Sequence, residues 1–126
     1  MTAYMPVSRR STLVQSKVRS YIGFCFKAKK IVLGSSAIGT LKGGVRLLIM
    51  DGKAARNSIR YALKYKNKFS CPLLVCKDGF EELVGKPQCR LAAICDENLA
   101  KAILNSGDSG YELYTGGGET EYGEKI

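Results

Sequence analysis

The sequence predicts an α/β layer structure, with helices on both faces of a small, mostly four-stranded sheet. Three observations predict it. Apolar runs of strand length recur at residues 31–33, 45–50, 71–76 and 91–95. Segments with apolar residues at helical spacing alternate with those runs. Turn signals mark the boundaries, at Gly34, Asp51-Gly52, Gly85 and Gly107. Such alternation favours one sheet covered by helices. With 126 residues and 45% hydrophobic content, the chain fits one domain with a modest core.

Residues 1–16 lack periodicity and read as a flexible basic arm, with Arg9 and Arg10 available to phosphates. Ser16 is the expected cap of a helix over residues 17–29. Val18, Tyr21, Ile22 and Cys25 form its apolar stripe. Phe24 and Phe26 broaden the stripe, which predicts a well-buried helix. Gly23 costs a helix about 1 kcal/mol and therefore implies close packing there. A short strand over residues 31–33 ends at Gly34. A second helix follows over residues 35–42, capped by Ser35 or Ser36 and weakened by Gly39. Gly43-Gly44 turns the chain into a central strand, VRLLIM, at residues 45–50.

The clearest helix covers residues 54–68. Ala55, Ile59, Ala62 and Leu63 are expected to face inward. Arg56, Arg60, Lys64 and Lys68 recur every four residues and make one basic face, with no acid at i±4 to neutralise it. A strand at residues 71–76 precedes a helical turn at residues 80–84, closed by Gly85. The loop KPQC leads into the last strand, LAAIC, at residues 91–95. Asp96 caps a final helix with Leu99, Ala100, Ile103 and Leu104 inside, stopped by Gly107. The expected division is a basic arm (1–16), one folded domain (17–106) and a disordered, Gly-rich acidic tail (107–126).

The formal net charge is +9, unevenly spread. Residues 1–76 carry 15 Lys and Arg against the single acid Asp51, whereas residues 77–126 carry five basic and ten acidic residues. A nearly unopposed positive field over most of one domain predicts a polyanionic partner. No apolar run approaches the roughly 20 residues of a membrane helix, and residues 1–17 hold no apolar core of signal-peptide length. Five cysteines, an odd number, fit a reduced cytoplasmic protein.

Residues 30–44, KIVLGSSAIGTLKGG, have Gly34 and Gly39 at the spacing of a phosphate-binding loop. Thr40 and Leu41 stand where such a loop needs Lys and Ser or Thr, so a nucleotide loop is not expected. There is no His, the commonest general base and metal ligand. Cys71 and Cys76, and Cys89 and Cys95, lack C-x-x-C spacing. Asp78, Glu81 and Glu82 fall on a surface turn with no acid placed opposite. The expectation is a protein that is not an enzyme, with no metal and no cofactor.

The stretches SYIGFCFKAKKIVLG (20–34), RLLIMDGKAARNS (46–58), FSCPLLVC (69–76) and LVGKPQCRLAAICDENLAKAIL (83–104) occur in an order that resembles the ribosomal-protein family of kink-turn RNA binders. That is the "seven-Ae" and "thirty-e" type, and its small bacterial YlxQ-like branch is the nearest in look. The resemblance spans residues 17–105. It implies a three-layer α-β-α sandwich with a mixed sheet, binding structured RNA, ribosomal or in another ribonucleoprotein. No membrane partner is expected, and a monomer is assumed, since the sequence gives no oligomeric state. Carried over, the RNA contacts are Gly34, Ser35 and Ser36 at one junction and Lys86, Pro87 and Gln88 in the loop before the last strand. Lys29 and Lys30 flank the first, Lys53 and Arg56 follow the strand end expected beside it, and Lys42 is a further expected contact. Family members have Asn, Glu and Lys where this chain has Ser36, Ala37 and Thr40, so backbone and shape binding is expected here rather than reading of base edges. The alternative is a protein-interaction module on the same fold. An enzyme or a cysteine-based redox sensor is the third reading, motivated by the five cysteines and opposed by the absence of His and of C-x-x-C.

Overall fold

The computed structural model describes residues 17–114. The basic arm, the Ser16 cap and residues 115–126 of the tail lie outside the described residues. Ten elements alternate along the chain. They are α1 (Lys17–Ala28), β1 (Ile31–Leu33), α2 (Ser35–Gly39), β2 (Leu47–Asp51), α3 (Arg56–Phe69), β3 (Leu73–Cys76), α4 (Phe80–Val84), β4 (Leu91–Ile94), α5 (Glu97–Leu104) and β5 (Tyr111–Leu113).

The sheet is mixed, in the order β1-β4-β2-β3-β5. β2 and β3 are parallel, with Ile49 opposite Leu74, and α3 supplies the crossover that parallel neighbours need. β4 runs antiparallel to both β2 and β1, pairing Ala92 with Ile49 on one side and with Leu33 on the other. All five residues of β2 are buried, because it is the central strand and both of its faces are covered.

Alternate side chains point to opposite faces of a strand, and here each face has its own core. Leu47, Ile49, Leu74, Cys76, Ala92 and Ile94 pack under α1, α4 and α5 with Val18, Ile22, Cys25, Phe80 and Ile103. Leu48, Met50, Leu73, Val75, Leu91 and Ala93 pack under α2 and α3 with Ile38, Ala62 and Tyr65. The molecule is thus a three-layer α-β-α sandwich.

The sheet has five strands rather than four. Tyr111, Glu112 and Leu113 pair antiparallel with β3, Leu113 opposite Leu74, and the Tyr114 amide donates to the Leu73 carbonyl at 2.8 Å. Residues 107–114 therefore belong to the folded domain and not to a disordered tail. An edge strand of three residues, two of them exposed, leaves no alternation to read.

Other differences have local causes. Phe24 and Phe26 are 52% and 41% exposed, because α1 buries only the narrow stripe Val18, Ile22 and Cys25. A Cβ on Gly23 would meet nothing within 4 Å, so no close packing requires that glycine. α2 stops at Gly39, and its cap position is Gly34, with no side-chain capping bond from either serine. On α3, Ala55 is exposed at the cap position, and Tyr65 takes the buried place beside Ala62. Asp96 does cap α5, accepting from the Leu99 amide at 2.9 Å. No helix among the described residues is long and apolar enough to cross a membrane.

Candidate functional site

The strand directions bring the carboxyl ends of β1, β2 and β3 and the amino end of β4 to one edge of the sheet. The loops beyond such strand ends are where open α/β sheets bind ligands. A cavity of about 440 Å³ lies there. Gly34, Ser35, Ser36 and Ala37 form one wall, the loop 86–90 forms another, and Ser58 of α3 closes the third.

The first wall is set by backbone geometry. Gly34 has φ 92°, a conformation that residues with a Cβ rarely adopt, while the space around it is open. Its amide donates to the Leu91 carbonyl at 2.9 Å, which ties the start of α2 to β4. The Tyr65 hydroxyl, reaching up from α3, donates to the Ser35 carbonyl at 2.9 Å. The Ser36 side chain is left exposed at the cavity wall.

The second wall is held by charge. Glu81 of α4 accepts from the Gln88 amide at 3.2 Å and from the Arg90 guanidinium at 2.6 Å. Gln88 has φ 67°, which costs a residue other than glycine, and the Glu81 contact helps to hold it there. Arg90 also lies 3.3 Å from Asp51, the buried charged residue at the end of β2. Asp51 accepts from the Lys53 amide at 2.9 Å as well. The Arg90 bond lowers the pKa of Glu81, with the Gln88 amide acting in the same direction, and Glu81 in turn raises that of Arg90.

A group whose folded pKa is depressed contributes stability that is present above its unfolded value and lost as pH falls. For Glu81 the ordinary value is 4.5. Wild type should therefore lose stability below about pH 5 more steeply than Glu81→Gln, and the two acid-unfolding curves should converge at low pH. A constant separation at every pH would refute the assignment.

Six of the expected contact residues meet at the cavity: Gly34, Ser35, Ser36, Lys86, Pro87 and Gln88. Arg56 opens α3, exposed, two residues before Ser58. Lys53 is exposed on the same edge, paired with Asp78 at 3.0 Å. Lys42 is exposed in the loop after α2. Lys29 and Lys30 do not flank the cavity. They precede β1, and the Lys30 carbonyl accepts from the Cys95 amide. Lys30 precedes Gly34 by four steps of extended chain, roughly 13 Å. Neighbours in sequence are not neighbours in space here, because an extended strand carries its two ends apart. Ser58 and Arg90 are additional lining residues. Arg90 is two positions past Gln88, where a cation beside a loop could have been noticed. Nothing in the sequence singles out Ser58.

Burial pushes the Cys25 and Cys71 thiols up to about 11, and it raises Cys76 and Cys95 too. Such thiols are poor nucleophiles at neutral pH. No group of three or more metal-ligating side chains occurs among the described residues.

No protein-family model and no curated protein matches the chain. Among solved structures, the chain is similar to a protein of unknown function from Bacillus halodurans. The TM-score is 0.59 at 17% identity, covering 71% of this chain and 95% of that one. At that identity the likeness concerns the fold.

Proposed function

We propose that this protein is a non-catalytic, ribosomal-protein-like RNA-binding protein that takes structured RNA, a kink-turn or an rRNA-like fold, at the cavity edge of its sheet. The observation that carries the reading is the convergence of Gly34, Ser35 and Ser36 with Lys86, Pro87 and Gln88, some 50 residues away in sequence, around one opening. Serine hydroxyls and the Lys86 and Arg90 cations suit phosphate oxygens and 2′-hydroxyls. Ala37 offers no hydrogen bond to a base edge, so recognition is by backbone and shape. Lys42, Lys53 and Arg56 extend the contact beyond the cavity. Lys29 and Lys30, at the other end of β1, contribute only screened, long-range attraction, because roughly 13 Å exceeds the screening length of about 8–10 Å at physiological salt. A cytoplasmic ribonucleoprotein is the setting this reading implies.

The test is a salt titration of binding to two RNAs of equal length, one folding into a kink-turn and one a plain duplex. Affinity for both should fall steeply as salt rises, because each phosphate contact releases counterions. The variant Lys86→Glu/Arg56→Glu should weaken both alike. Wild-type affinity indifferent to salt, or a double variant that binds as well as wild type, would refute the reading. The protein-interaction alternative draws on the exposed Phe24 and Phe26 of α1. It predicts a partner whose capture survives ribonuclease and is lost in Phe24→Ser/Phe26→Ser.

A further inference from the structure

We infer that the outward face of α3 is a second polyanion-binding surface, which tracks the backbone of an RNA duplex leading away from the cavity. The inference rests on the RNA reading and extends it to residues outside the cavity. Arg56, Arg60, Lys64 and Lys68 recur every four residues and are all exposed. Their side of the helix is opposite the one that buries Ala62 and Tyr65. Twelve residues at 1.5 Å each spread them over about 18 Å.

A charged helix face is most often only a solvated one, so the surroundings decide. α5 shows what a solvated face looks like here: Glu97 and Lys101 neutralise each other at 3.3 Å. α3 contains no acidic residue, and none of its four stripe cations takes part in a salt bridge among the described residues. The remaining outward residues are Asn57, Asn67 and Tyr61. Tyr61 is 44% exposed, with its ring stacked on Tyr65 at 6.1 Å. Cations, amides and one braced aromatic ring make a surface suited to phosphates and bases and ill suited to an acidic neighbour.

The position of the stripe fixes the direction of the track. At one end Arg56 stands two residues from Ser58, which lines the cavity. At the other, Lys68 reaches the Gly39 carbonyl at 3.4 Å, three residues before the exposed Lys42. A strand bound at the cavity can therefore continue along α3 toward Lys42 without crossing an acidic residue of that helix.

The test uses the full chain and RNA hairpins whose duplex arm is short or long. The variant Arg60→Gln/Lys64→Gln changes two exposed side chains and should fold as wild type does, checked by its thermal midpoint. Wild type should bind the long arm more tightly than the short one. In the variant that gain should vanish, and the slope of log affinity against log salt should fall by about 2, close to one per lost contact. The cavity variant Lys86→Gln should bind more weakly while keeping the gain from the longer arm. An unchanged slope in Arg60→Gln/Lys64→Gln, with Lys86→Gln weakened, would overturn the α3 track and leave the cavity reading standing. Failure of wild type to bind any hairpin would overturn both. Tighter binding to phosphatidylserine vesicles than to RNA at equal ionic strength, lost in the same variant, would replace the duplex by a membrane surface.

Discussion

Phe80→Ala should destabilise the domain by about 3–5 kcal/mol, as truncation of a fully buried aromatic usually does. Phe80 is 1% exposed and opens α4, a helix of only five residues. It packs into the core shared by α1, α5 and the inner face of the sheet. So short a helix gains little from its own hydrogen bonds and is held by its packing. Small domains are stable by only about 5–15 kcal/mol, so the loss takes a large share. The functional consequence follows from Glu81, the next residue. When α4 loosens, the carboxylate that holds Gln88 and Arg90 is no longer fixed, and one cavity wall goes with it. If the proposed RNA reading holds, RNA affinity should therefore drop in Phe80→Ala even at temperatures where the domain remains folded. Phe80→Leu, which keeps most of the buried volume, should recover most of both losses. The measurement is a denaturant midpoint beside a binding curve. A stability loss below about 1 kcal/mol would mean that α4 is not packed as described.

The elements that could be read from the chain are those whose pattern is long or carries its own punctuation. α3 shows helical spacing over fourteen residues, and LAAI and LLVC are apolar runs bounded by turn residues. What the pattern could not give is partner identity. β5 exists because β3 offers it an edge, and its own residues Tyr111, Glu112 and Leu113 carry no periodicity. Phe24 and Phe26 look like core residues in a helical reading, yet the narrow contact of α1 with the sheet leaves them outside. The candidate site divides in the same way. Gly34 and the 86–88 loop were expected as contacts only through the resemblance carried by the order of short stretches; the local pattern marked Gly34 as a strand end and 86–89 as a loop and no more. Their meeting around one cavity depends on the antiparallel pairing of β1 with β4, which no local pattern encodes. The extended backbone of β1 likewise carries Lys30 away from Gly34, two residues that the sequence sets only four apart. The Asp51, Arg90 and Glu81 arrangement joins three elements and was invisible for the same reason.

Gly39→Ala tests how α3 supports the cavity, through a change of sign that depends on a second residue. An added Cβ at Gly39 would come within 2.6 Å of the Tyr65 hydroxyl, closer than packed atoms approach. Tyr65 is 5% exposed and has little room to withdraw. Its hydroxyl must move, and its bond to the Ser35 carbonyl is strained or lost. Overpacking costs about 1–3 kcal/mol and the hydrogen bond about 1 kcal/mol, against a gain of up to about 1 kcal/mol from replacing glycine in a helix. The net expectation is a loss of about 1–3 kcal/mol and, on the proposed RNA reading, weaker RNA binding as well, because Ser35 and Ser36 line the cavity. Tyr65→Phe alone should cost about 1 kcal/mol, since it leaves the Ser35 carbonyl without that donor. In the Tyr65→Phe background the nearest remaining ring atom lies 3.4 Å from the added Cβ, an ordinary contact. Gly39→Ala should there become neutral or stabilising, by removing glycine's freedom from the unfolded chain. The double-mutant cycle should thus give a coupling of about 1–3 kcal/mol between two residues 26 positions apart. Additive effects would mean that the Tyr65 hydroxyl does not hold α2 in place, and that the first wall of the cavity depends on Gly34 and β4 alone.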